Sequence, residues 1–134
     1  MTSVPFSASS HLWDAFDLDG VLRVGPDALV IEYEGEWTKV DDNGKAAEPV
    51  TWDATTLKIP FADIVTIRLA RRPFGSPRVL LQVRSLQAVT GFPLAKGVQC
   101  DIPVARKHHR EATALVAEVE DRAADAELRR LEQG

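Results

Sequence analysis

Apolar residues recur at every second position through most of the chain and take up helical spacing only near its end. Phe16, Leu18, Leu22 and Val24 share one parity, with Asp17, Asp19 and Arg23 on the other, the pattern of a half-buried strand. Gly20 interrupts the series. It marks either a bulge in one bent strand or, with Asp19, a two-residue hairpin turn. The bent strand is preferred, because a hairpin would leave a very short first arm. Gly25-Pro26-Asp27 predicts a turn, since proline sets its own φ and glycine tolerates unusual angles. Leu29, Ile31 and Tyr33 then face inward, with Glu32 and Glu34 outward. Leu57, Ile59 and Phe61 alternate with Lys58 and Pro60, and Val65, Ile67 and Leu69 with Thr66, Arg68 and Ala70. Val79, Leu81 and Val83 follow a loop, a weaker strand is placed at 86–89 or 92–94, and Val98, Cys100 and Ile102 form the last strand.

The period changes after about residue 103. At roughly 100° per residue, Ala112, Leu115, Val116, Val119, Ala123 and Ala126 fall on one side of a helix. Asp101 as an acidic flank and Pro103 in the first turn suit its start. About seven short strands and then one amphipathic helix predict a mainly β fold. The form expected is a partly open antiparallel barrel or sandwich, with the helix covering the open end. Residues 1–12, rich in serine, read as a flexible tail, and residues 13–134 as a single domain.

One segment departs from this alternation. After Gly35 a polar excursion runs to Thr55, and Asp41-Asp42-Asn43-Gly44-Lys45 within it is a tight-turn signal. Trp37 and Trp52 flank that turn, so the excursion reads as a hairpin arm closed by an aromatic pair. A ligand-binding role for the two rings is the alternative, and packing is favoured.

Composition narrows the classes. At 134 residues the chain has the length of one domain with a real core, and 45% hydrophobic with 27% charged residues is a globular balance. A net charge of -4 argues against a general nucleic-acid binder. The single Cys100 cannot form an intramolecular disulfide, which favours a reducing compartment. Residues 1–10 lack a signal-peptide pattern, and no apolar run approaches the ~20 residues that span a bilayer. The expectation is a cytoplasmic protein without cofactors.

Three stretches carry a family resemblance: "GVLRVGPDALVIEYEG", "LKIPFADIVTIRL" and the helix after "VQCDIPV". Together the layout resembles the pleckstrin-homology-like superfold, including its small bacterial domains, over residues 13–126. The resemblance implies a capped barrel and a binding or architectural role. It does not carry lipid-headgroup binding over, because the turn Val24-Gly25-Pro26-Asp27 has only Arg23 beside it where a basic motif would stand.

Catalytic signatures are missing: there is no nucleophile-elbow Gly-x-Ser-x-Gly, no phosphate-cradling glycine loop and no metalloprotease helix motif. Asp17 and Asp19 share a strand face but read as solvated. Cys100, His108 and His109 invite a zinc reading. Adjacent histidines on a helix cannot point one way, however, and a fourth ligand is lacking, so no metal is expected. Two basic groups stand out instead. One is Arg68, Arg71, Arg72 and Arg78 around Phe74; the other is Arg106, Lys107 and Arg110 in the first helical turns. Positive charge there opposes the helix dipole by about 0.3–1 kcal/mol per charge. An acidic neighbour such as Asp101 or Glu111, or an anionic partner, can offset that cost. Leu128 and Leu131, with Ala117 and Ala124, project from a different side than the main stripe. A helix from 103 would outrun the sheet and leave these leucines for a partner chain or a weak homodimer. The primary expectation is a non-catalytic binding or scaffold module acting through a protein partner or self-association. The alternative is a peripheral binder of anionic lipid or a phosphate ligand, with Phe74 wedged in the interface.

Overall fold

In the computed structural model, which describes residues 2–10, 15–38, 50–71 and 75–133, the alternating segments form two four-stranded antiparallel sheets. The first contains β1 (Ser3–Ser10), β2 (Ala15–Val24), β3 (Ala28–Thr38) and β4 (Val50–Pro60), neighbours in chain order. The second contains β5 (Ile64–Ala70), β6 (Arg78–Val83), β7 (Ala95–Lys96) and β8 (Gln99–Pro103), in the order β5-β6-β8-β7. Helix α1 (His109–Gln133) closes the chain. It lies across β5 of the second sheet and β1 and β2 of the first. The sheets do not close into a barrel, and the fold is mainly β with one C-terminal helix.

The reading of residues 1–12 as a flexible tail is corrected by β1. Val4 and Phe6 are buried while Ser3, Pro5 and Ser7 are exposed, so the segment alternates like any half-buried strand. Its pairing explains Gly20. β2 is one continuous strand, and its registers with β1 and β3 run through Gly20 without a shift. Phe6 stands directly opposite Gly20, and a Cβ on Gly20 would run into the Phe6 ring and the Glu32 carbonyl. The glycine is therefore a slot for a ring from the neighbouring strand rather than a bulge. The Phe6 ring meets Phe92 edge-on at 6.5 Å, and Phe92 also lies against Tyr33 at 5.3 Å.

Bulges occur elsewhere. One falls between Tyr33 and Gly35 in the β3–β4 pairing, and one between Ile64 and Thr66 in the β5–β6 pairing. The second corrects the placement of Val65. The extra residue turns Val65 outward, 44% exposed, and seats Ile64 in the core, while Ile67 stays buried and Leu69 packs against the core margin. No strand forms at 86–89 or 92–94. Leu86–Val89 is a 3₁₀ turn whose Val89 is buried, and the Ala95 amide bonds back to the Phe92 carbonyl at 3.1 Å.

The helix also starts later than about residue 103. Asp101 and Pro103 belong to β8, where Pro103 stands opposite Arg78, and a 3₁₀ turn at Arg106–His108 precedes α1. Ile102 and Val104 are both buried, and the Val104 amide donates to the Pro77 carbonyl at 2.9 Å, which keeps the chain extended past the proline. Farther on, the expected stripe holds: Ala112, Leu115, Val116 and Val119 are buried, with Ala123 and Ala126 packed at the margin. Leu22, Leu29, Ile31 and Ile59 from one sheet and Val79, Leu81 and Ile102 from the other join them in a single core. Burying each large side chain contributes roughly 1.5–3 kcal/mol.

Candidate functional site

Two surfaces carry the residues singled out in the sequence. The first is the outer face of the second sheet and the loop at its end. Arg68 projects from β5 opposite Leu80, and Arg78 from β6 between Ala70 and Pro103. Arg78 Nε donates to Asp101 Oδ1 at 2.5 Å, so an acidic neighbour on β8 holds that guanidinium. Arg68 and Lys96 border the same groove, of about 460 Å³, and neither forms an ion pair with another described residue. Its floor is Leu80 and Gln82, which are half-buried.

The two basic groups, separate in the sequence, meet in space. Arg106 Nε donates to the Gly75 carbonyl at 2.9 Å, and the Val104–Pro77 bond lies beside it. The loop after β5 and the segment before α1 are thereby stitched together. Arg71, Lys107 and Arg110 are exposed. Arg72 and Phe74 lie outside the described residues. Because α1 begins at His109, Arg106 and Lys107 sit ahead of it, and only Arg110 occupies its first turn. All three cations therefore stay near the positive end of the helix dipole, Arg110 within the first turn and Arg106 and Lys107 in the 3₁₀ turn that leads into it.

The second surface is the far end of α1. Its 25 residues span about 37 Å, yet its last fully buried side chain is Val119. One arginine that the sequence did not single out holds the helix beyond that point. Arg84, at the end of β6, donates from Nη2 to Glu127 Oε2 at 2.5 Å and from Nε to the Ala62 carbonyl at 2.8 Å. Arg130 also reaches Glu127, at 2.8 Å. The Arg130 hydrogen bond, aided by the charges of Arg130 and Arg84, holds the Glu127 carboxyl below the usual carboxylate range. The only sequence sign of Arg84 is its place directly after an apolar strand, which does not reveal its partners. Past Glu127 every described residue is exposed, and Leu128 and Leu131 are 58% and 65% accessible.

The remaining candidates are spread over both sheets and the start of the helix. Asp17 and Asp19 are exposed on the outer face of β2, opposite Glu36 and Glu34. Trp37 pairs in register with Val50, and Trp52 with Gly35, so both stand on the paired arms of β3 and β4; the turn at 41–45 lies outside the described residues. Cys100 is buried, and burial pushes its thiol up to about 11. His109 Nε2 is enclosed without a hydrogen-bond partner, but among the described residues no three His, Cys, Asp or Glu side chains cluster to hold a metal. Among them, too, no helix is long and apolar enough to cross a membrane. Comparison of the chain with protein-family models, with curated proteins and with solved structures finds no match.

Proposed function

We propose that this chain is a non-catalytic binding module of the pleckstrin-homology-like kind that acts through a protein partner in a reducing cytoplasm. The fold reading is supported by four strands followed by a second sheet and a helix that touches both. The compartment is supported by one buried, unpaired cysteine. The observation that carries the function is the pair Leu128 and Leu131, both more than half exposed on a helix anchored as far as Glu127. Isolated exposed leucines are common, but two on adjacent turns of an anchored helix make a contact face. The test is a pull-down from native extract with the parent and with Leu128→Glu/Leu131→Glu. A protein retained by the parent and lost by the variant is expected; identical retention by both defeats the reading.

A second reading is binding of an anionic lipid headgroup or phosphate ligand. It is supported by the stitching of Arg106 to the loop that carries Arg71, and by Arg68 and Lys96 bordering a groove without ion-pair partners among the described residues. Co-sedimentation with anionic vesicles should then occur at low salt and weaken as salt rises. Binding to neither anionic nor neutral vesicles would remove it.

A further inference from the structure

The outer face of α1 has a charge pattern that selects among possible occupants. At ~100° per residue, Leu128 lies about 180° around the helix from the buried Val119. Ala117, Asp121, Ala124, Leu128 and Leu131 follow alternating steps of four and three residues on that far side, and all five are exposed. This is a seam of the kind one helix offers another, with small residues that allow close approach and leucines that supply the apolar contact. Both borders of the seam are acidic. Glu118, Asp125 and Glu132 run along one side, and Glu120 and Glu127 along the other. Glu118 and Glu127 are engaged by Arg122 and by Arg84 and Arg130. Glu120, Asp125 and Glu132 are exposed and have no partner among the described residues. Arg122 and Arg130 sit behind the borders, on the side toward the domain; the exposed Arg129 stands beside Asp125, and Arg110 falls on the seam line two turns before Ala117.

A second copy of this chain fits that face poorly in either orientation. In a parallel pair, each border would face the opposite border of the copy; in an antiparallel pair, each would face itself. Along 117–132 these juxtapositions set carboxylate mostly against carboxylate, with Arg129 the one exposed cation beside the borders, and Asp121 would add another acid within the seam. We infer that the outer face of α1 docks a lysine- or arginine-bordered amphipathic helix of a partner protein, not a second copy. The inference rests on the proposed partner-binding role and names the chemistry of that partner. Its basic residues meet Glu120, Asp125 and Glu132, one basic residue faces Asp121, and its leucines or other aliphatics cover Leu128 and Leu131. Such charge matching governs specificity and the rate of encounter more than raw affinity.

The experiment uses the full chain and two designed helical peptides of about three heptads. The peptides share leucines along the seam and differ only in carrying lysine or glutamate at the borders. Titrations at low salt should show the lysine peptide binding the parent at least about tenfold tighter than the glutamate peptide, with the difference shrinking as salt rises. Glu120→Lys/Asp125→Lys/Glu132→Lys should reverse the preference, and Leu128→Glu/Leu131→Glu should abolish binding of the lysine peptide. All of these positions are exposed, and circular dichroism checks that each variant keeps its fold. Without peptide, the parent should sediment at the 14.7 kDa of one chain. An equimolar mixture of the parent with the triple lysine variant should show a species of twice that mass. Equal binding of both peptides, binding of neither, or a doubled mass for the parent alone overturns the inference. If the native extract still yields a leucine-dependent partner, the partner-binding role survives such a result. If the leucine pair is dispensable there as well, both fall.

Discussion

Replacing Phe6 by alanine should destabilise the domain as a core mutation does, although the residue lies in a serine-rich segment at the start of the chain. The ring is 3% exposed, and it rests over a glycine. No Cβ beneath it can move up to fill the space. Phe→Ala in a core costs about 3–5 kcal/mol, and the edge contact with Phe92 accounts for part of that. Against a typical net stability of about 5–15 kcal/mol, the variant should lose at least about a fifth of its margin. At roughly 4 °C per kcal/mol for a chain of this length, its melting temperature should drop by about 12–20 °C. The partner position gives an internal check. Gly20→Ala should cost about 1–3 kcal/mol, because its Cβ collides with the Phe6 ring and the Glu32 carbonyl. In the double variant the ring clash is gone and only the carbonyl clash remains, so the two costs should fall short of additivity by about 1 kcal/mol. Urea denaturation followed by far-UV circular dichroism measures all four states. A Phe6→Ala cost below about 1 kcal/mol, or strict additivity of the pair, would mean that β1 does not seat its ring over Gly20.

Other consequences follow from the bulge, the thiol and the helix clamp. Val65→Thr should shift stability by no more than about 0.5 kcal/mol, while Ile67→Ala on the same strand should cost about 2–5 kcal/mol; equal effects in urea melts would refute the bulge register. Cys100 should react with a disulfide reagent at mildly alkaline pH only as fast as the domain unfolds, since burial lifts its thiol to about 11; reaction at the rate of a free thiol in native buffer would contradict that burial. The folded Glu127 carboxyl titrates below its ordinary range, so its contribution is complete above the unfolded value and fades as pH falls through the lower folded one. Amide shifts of residues 124–132 should therefore be constant near neutrality and move toward coil values only in strong acid. Arg84→Gln should shift that change to higher pH, and an identical profile in the variant would exclude the clamp.

Much of this architecture is legible in parity alone. Leu29, Ile31 and Tyr33, or Val79, Leu81 and Val83, announce their face because several large residues alternate with polar ones over a full strand. In β1 only Val4 and Phe6 carry the signal among serines, and short side chains do not oppose a coil reading. Val65 fails for a different reason: a bulge is a local backbone event, and β-branched residues on either side of it look alike in sequence. Pro103 and Asp101 have the right chemistry for a helix start, but the strand pairing to Arg78 and the burial of Val104 outweigh it. The exposure of Leu128 and Leu131 could be read from helical geometry without tertiary information. The joining of Gly75 to Arg106 and the reach of Arg84 to Glu127 depend on residues 31 and 43 positions apart, which no local pattern encodes.

The first strand is secured by the last parts of the chain. β1 takes its register from β2, but Phe6 finds its ring neighbour at Phe92, the strand abuts β8 and α1, and Thr2 Oγ1 donates to Glu118 Oε2 at 2.8 Å across 116 positions of sequence. During synthesis β1 thus emerges well before the elements that complete its shelter. Until α1 arrives, β1 has its pairing to β2 and its contacts with Phe92 and β8 but lacks the helix that completes its cover. Such distant closure slows folding. Trimming the chain from its C-terminal side, back past Leu115, should therefore release β1 at the opposite end. Proteases would meet that effect as a new cleavage zone in the first ten residues, far from the cut that caused it.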